Sequence, residues 1–149
     1  MPCTCPSALL RVDVREAPDD RAPWRRQNRS VGPTVLVVDD HPTFRRFARR
    51  MLEEAGFRVV GEAGGCSEAM ERARDLRPQA VLLDVLLPDG SGLDVAARLS
   101  QSFEGMLVVL TSSRSRSDFG AALDGVPAAG FIPKSALSGD AFAELVQRD

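Results

Sequence analysis

Five residues of this sequence have the types and positions to do chemistry together: Asp39, Asp40, Asp84, Thr111 and Lys134. Each follows a short apolar run. Thr34-Val35-Leu36-Val37-Val38 leads to the acidic pair, Val81-Leu82-Leu83 to Asp84, Met106-Leu107-Val108-Val109-Leu110 to Thr111, and Ala129-Gly130-Phe131-Ile132-Pro133 to Lys134. If the runs are neighbouring strands, their ends converge. Three carboxylates brought together repel, by about 4 kcal/mol for two unit charges about 4 Å apart at an effective dielectric near 20. A divalent cation relieves this, and oxygen ligands without a cysteine or histidine cluster point to magnesium, with manganese as the alternative. A carboxylate beside such a cation can attack a phosphoryl group and become an acyl phosphate. An ammonium and a hydroxyl then hold the remaining phosphoryl oxygens. Asp84 stands alone on its strand and suits the nucleophile; Asp39 and Asp40 suit the metal. Lys134 is the sole lysine of the chain.

The elements that must position these groups can be read from periodicity. The run to Asp84 has no polar interruption and is bounded by the turn signal Pro88-Asp89-Gly90, so it reads as a strand buried on both faces. Pro42 suits the first turn of a helix, and Phe44, Phe47, Ala48, Met51, Leu52 and Ala55 recur at helical spacing, with Gly56 as the C-terminal cap. Arg45, Arg46, Arg49 and Arg50 lie largely off that face. Residues 57–62 read as a more polar strand, expected at an edge. Ser67 is expected to cap a helix through Leu76, with Ala69, Met70, Ala73 and Leu76 inward and Pro78 after it. Further helices are expected from Leu93 to about Gln101, with a weak pattern around Asp118–Leu123, and after Ser138, carrying Phe142, Leu145 and Val146.

Five β-α units imply a parallel sheet with right-handed crossovers. The expected fold is α/β, flavodoxin-like and doubly wound, with strand order 2-1-3-4-5. In that order the first and third strands are neighbours at the switch point, so Asp39, Asp40 and Asp84 meet at the C-terminal edge. Thr111 and Lys134 end the next two strands on the same edge.

Composition bounds the function. A chain of 149 residues with 44% hydrophobic residues supports one core domain, and a net charge of −2 argues against a general nucleic-acid binder. The sequence shows neither a membrane-length apolar run nor a signal-peptide core, so a cytoplasmic protein without a membrane partner is expected. Residues 1–33 hold five prolines, charges of both signs and no apolar period; a disordered extension is expected there, with the domain at 34–149. Cys3 and Cys5 have no second pair to complete a metal site and read as reduced thiols. Trp24 among Arg25, Arg26 and Arg29 is at most a small docking element. Cys66 reads as a small hydrophobe at a helix start.

Over 34–149 the chain resembles the receiver domain of two-component response regulators. The motifs are Val37-Val38-Asp39-Asp40-His41-Pro42, Leu82-Leu83-Asp84 running to Gly92, Val109-Leu110-Thr111-Ser112-Ser113, and Gly130-Phe131-Ile132-Pro133-Lys134-Ser135. The Asp-Asp-His and Pro-Lys-Ser details look most like the NarL/LuxR-type subgroup. The resemblance implies that Asp84 accepts phosphate from a phosphohistidine on a sensor histidine kinase. It implies magnesium bound by Asp39, Asp40, Asp84 and the backbone carbonyl of Leu86, and Lys134 paired with the phosphoryl group. Thr111 would move toward the phosphate and Phe131 turn inward with it. Regulators of this subgroup usually continue into a helix-turn-helix domain. The sequence stops at Asp149, so a single-domain receiver without direct DNA binding is expected, acting through an output protein or self-association. Many receivers place proline directly after the lysine; here Ser135 follows and Pro133 precedes. Two competing readings are a degenerate receiver used as a non-phosphorylated scaffold and an aspartyl-nucleophile phosphatase. The complete Asp-Asp, Asp, Thr and Lys set argues against the first. The second needs an acid two residues after the nucleophile, where this sequence has Leu86. No enzymatic activity is expected beyond gaining and shedding phosphate.

Overall fold

The computed structural model describes residues 32–147. The expectations for residues 1–31, including Cys3, Cys5 and Trp24, lie outside the described residues. In chain order the elements are β1 (Thr34–Val38), α1 (Pro42–Glu54), β2 (Arg58–Ala63), α2 (Cys66–Leu76), β3 (Ala80–Asp84), β4 (Leu86–Leu87), β5 (Gly90–Ser91), α3 (Gly92–Ser102), β6 (Leu107–Ser112), a 3-10 helix (Arg116–Leu123), β7 (Gly130–Pro133), a 3-10 turn (Lys134–Ala136) and α4 (Gly139–Val146). Five strands form one parallel sheet in the order β2-β1-β3-β6-β7. Counting the major strands alone, this is the expected 2-1-3-4-5 order, with β2 at an edge. The short pair β4–β5 is a separate antiparallel hairpin directly after Asp84.

The strands alternate between two cores. Val35, Val37, Ala80, Leu82 and Val109 pack with α1 and α4 on one face, around Ala48, Leu52 and Phe142. Leu36, Val38, Val81, Leu83 and Val108 pack with α2 and α3 on the other, around Ala69, Ala73, Val95 and Leu99. All five residues of β3 are buried, as a strand covered on both faces requires. Pro42 opens α1, Gly56 follows its end at φ 99°, and the Ser138 hydroxyl accepts the Ala141 N–H at the start of α4. No helix among the described residues is long and apolar enough to cross a membrane.

Four expectations are corrected. Phe47 on α1, 51% exposed, and Ala55, just past its end, face solvent, leaving Ala48 and Leu52 as the fully buried contacts of the helix. Leu76 is also exposed, lying over the edge strand at Gly61. The α2 helix begins at Cys66 rather than after Ser67, and its first two N–H groups, from Cys66 and Ser67, donate to the Asp89 carboxylate (2.7 and 3.2 Å). A carboxylate supplied from the loop after β3 therefore replaces the local serine cap. The helix expected around Asp118–Leu123 is a 3-10 helix, broken at Gly120, whose φ of 57° and ψ of −135° only glycine adopts readily.

Candidate functional site

The parallel register delivers the functional side chains to one edge. Leu83 pairs with Val38, which puts Asp84 level with Asp39; Asp84 pairs with Thr111, and Thr111 with Ile132, two residues before Lys134. Asp39 and Thr111 are fully buried and Asp84 nearly so. The loop after Asp84 turns back so tightly that a Cβ on Gly92 would stand 2.1 Å from the Asp84 carbonyl oxygen, so the first residue of α3 must be glycine.

Lys134 Nζ lies between two carboxylates, 2.5 Å from Asp39 Oδ2 and 3.5 Å from Asp84 Oδ2, and 4.2 Å from the centre of the Phe44 ring. The Lys134 ammonium is the group that pairs with buried Asp39 Oδ2, which takes no hydrogen bond from any other group among the described residues. The two acids respond oppositely. Burial raises Asp39, but Lys134 and the His41 N–H (2.8 Å to Oδ1) outweigh it and hold the carboxyl below its usual value. Burial also raises Asp84; Lys134 opposes this, the negative Asp39 adds to it, and the group is pushed up to about 6. Around them, Leu86 N–H donates to Asp84 Oδ1 (3.2 Å), and Arg45 Nη1 donates to the Asp39 carbonyl (2.6 Å) while its Nε donates to Glu62 (3.0 Å).

The expected residues are not all equally close. Asp39, Asp84 and Lys134 form the contact network just described. Asp40 is about one-third exposed and clusters with Asp39 and His41, one ligand atom from each lying within 4.8 Å of the others. Leu86 is in the hairpin on the rim, its side chain 47% exposed. The Thr111 hydroxyl donates to the Ile132 carbonyl (2.6 Å). The half-buried Phe131 ring meets Phe119 edge-on, 5.9 Å between centres. No peptide bond among the described residues is cis, and the chain leaves Lys134 through a 3-10 turn with Ser135 in its middle.

Arg45, Phe44, His41 and Asp89 were not anticipated as parts of this edge. Arg45 and Phe44 sit in the first turn of α1, close enough in sequence to the acidic pair to reach back over it. Asp89 gives no local signal for capping a helix that lies earlier in the chain.

Two adjacent carboxylates beside a third acid, whose carboxyl burial pushes up, make a donor set suited to a hard divalent cation. The model of the response regulator receiver domain matches residues 35–146. The response regulator GacA of Pseudomonas viridiflava is 38% identical over 114 residues, which is 76% of this chain and 51% of that protein. The chain spans about half the length of several curated relatives it matches. Among solved structures, the receiver domain of the putative response regulator NarL from Mycobacterium tuberculosis has a TM-score of 0.72 at 29% identity, covering 79% of this chain and 98% of that one. A response regulator from Burkholderia pseudomallei, solved with a phosphorylated aspartic acid, a calcium ion and citrate, shares the fold at TM-score 0.68 and 23% identity, over 76% of this chain and 66% of that one. With a sheet, an acidic edge and a family match that coincide over the same residues, the chain belongs to the response regulator receiver domain family.

Proposed function

We propose that residues 34–149 form a phosphorylation-dependent signalling switch in which Asp84 is the phosphoacceptor. Receiver domains bind a divalent metal at the acidic pocket, and membership implies a cognate histidine kinase. Asp39, Asp40, Asp84 and the Leu86 backbone carbonyl would hold magnesium, which supplies neutralisation of charge on the phosphoryl oxygens. An Asp84 carboxylate oxygen attacks phosphorus as the bond from phosphorus to the kinase's phosphohistidine nitrogen breaks. The bonding pair leaves on that nitrogen, which takes up a proton. Lys134 then has a third anion to pair with, and the Thr111 hydroxyl can exchange the Ile132 carbonyl for a phosphoryl oxygen. The space it leaves suits the Phe131 ring, and the surface over 112–124 changes for an output protein or a second copy.

The observation that carries this reading is the position of Lys134 between Asp39 and Asp84, with Asp84 raised to about 6. A structural lysine would need one partner; this one spans the acid suited to a metal and the acid suited to attack. The test is Asp84→Asn. With magnesium and a small acyl-phosphate donor, the wild type is expected to incorporate base-labile phosphate and the variant none. Undiminished labelling of the variant would overturn the assignment, and an unlabelled wild type would favour the non-phosphorylated scaffold.

A further inference from the structure

One group at this edge is unused by the switch as proposed. His41 Nδ1 lies 3.2 Å from Asp39 Oδ1 and 3.1 Å from Asp40 Oδ1. We propose that His41 is a further side-chain donor to the cation held by Asp39 and Asp40, biasing the site toward a transition ion such as Mn2+ over Mg2+. The proposal rests on the reading that these two acids bind a divalent cation.

The separations suit one coordination sphere as well as the hydrogen bond that the ring now makes with Asp39 Oδ1. An octahedral ion with ligands at about 2.1 Å holds adjacent donors about 3 Å apart. The two imidazole-to-carboxylate separations match such edges, and the three donor atoms lie within 4.8 Å of one another. Buried Asp39 Oδ2 is already turned to the Lys134 ammonium (2.5 Å), which leaves Oδ1, on the His41 side, as the oxygen open to a further cation. The fixed cations nearby do not reach the two oxygens that face His41. The Arg45 guanidinium goes to the Asp39 carbonyl and Glu62, and Lys134 to Asp39 Oδ2 and Asp84 Oδ2.

The backbone fixes where the ring starts. His41 precedes Pro42 at the N-terminus of α1, its N–H donates to Asp39 Oδ1, and its carbonyl accepts the Arg45 N–H (3.0 Å). The side chain is 70% exposed, so it can rotate to complete a coordination sphere without uncovering core. Magnesium gains little from nitrogen, whereas first-row transition ions gain from imidazole. The competing role for the ring is a counter-ion bridging two carboxylates, and it predicts the opposite effect on metal affinity.

His41 is the only histidine in the chain, so an imidazole signal from untagged protein has one source. Untagged full chain would be loaded with one equivalent of Mn2+ and its nitrogen coupling recorded by pulsed electron paramagnetic resonance. Mg2+ and Mn2+ affinities would be measured by calorimetry for wild type and His41→Gln. The expected result is imidazole nitrogen coupling in wild type, absent in His41→Gln, and a fall of about tenfold in the Mn2+-to-Mg2+ affinity ratio on substitution. Bound Mn2+ without nitrogen coupling, an unchanged ratio, or tighter binding of both ions by His41→Gln would overturn the role of His41 while leaving Asp39 and Asp40 as the metal site. A wild type that binds neither ion would overturn both.

Discussion

The two sides of the functional edge are built differently. On one side, β1 and β3 end in buried acids that Lys134 and backbone N–H groups grip from several directions. On the other, the 3-10 helix from Arg116 to Leu123 buries only Leu123, breaks at Gly120, and is tied at its start by the exposed box in which Ser115 and Asp118 bond each other's backbone. Its link to the sheet runs through Phe119 on Phe131. Many restraints hold the acid side, while few hold the flank that the proposed switch would move. A segment with little burial opens at low free-energy cost, which suits the output surface proposed above.

The largest expected contrast comes from removing one anchor on each side. Lys134→Met leaves Asp39 and Asp84 facing each other without their shared cation, and breaking a buried pair typically costs about 3 kcal/mol or more. Asp118→Ala removes the box that starts the 3-10 helix, an exposed cap worth about 1 kcal/mol. Urea denaturation of metal-free protein measures both. Equal losses would mean that the two sides are equally restrained and would break the comparison.

A smaller, reversible effect should appear on the acid side alone. Magnesium at about 100 times its dissociation constant should add about 2.7 kcal/mol to stability. Asp40→Ala should remove most of this. In the absence of metal the pH dependence follows from the two acids. Asp84 is raised in the fold, so the folded state holds the extra proton, and stability falls as pH rises from about 4 to about 6. Asp39 is lowered, so its contribution is present above the unfolded value and is lost only as pH falls through its folded value, in more acidic solution. Thermal melts of chelated protein from pH 4.5 to 7 should therefore show a decline that Asp84→Asn flattens and magnesium offsets. A magnesium-independent melting curve would contradict the site.

The same contrast explains what could be read from the sequence. The strands ending in Asp39, Asp84 and Thr111 are apolar runs that only a sheet covered on both faces can bury, so period and endpoint together fix strand order and the convergence of Asp39, Asp84, Thr111 and Lys134. What escaped depends on distance in the chain or on weak pattern. Asp89 caps α2 from a loop more than twenty residues later, and the local candidate Ser67 was the natural but wrong choice. Phe47 has the spacing of a core residue and stands in solvent, because α1 needs only the stripe through Ala48 and Leu52 to cover β1. The helix around Asp118 was legible as weak, but its break at Gly120 was not, since glycine in a helical pattern signals cost rather than conformation.

The smallest effect, and the one that sharpens the comparison most, is a redistribution of hydrogen exchange. In the unphosphorylated protein, amides of β1 and β3 should exchange slowly, because their hydrogen bonds lie in the centre of the sheet and open only with it. Amides of 116–126 should exchange early, because only Leu123 is buried there and Phe119 and Val126 are half-buried against the core. Under the proposed function, beryllium fluoride with magnesium is expected to place a phosphoryl mimic on Asp84. If Thr111 then leaves the Ile132 carbonyl, that carbonyl loses its buried partner and β7 must adjust by fractions of an ångström. Phe131, one residue before Ile132, carries the change to Phe119 and so to the 3-10 helix. Protection should therefore change at 112–124 and 130–134 and stay constant through β1 and β3. Changes confined to the loops after Asp39 and Asp84 would separate the acid side from the flank, and Phe131 would then be a packing residue with no part in the switch.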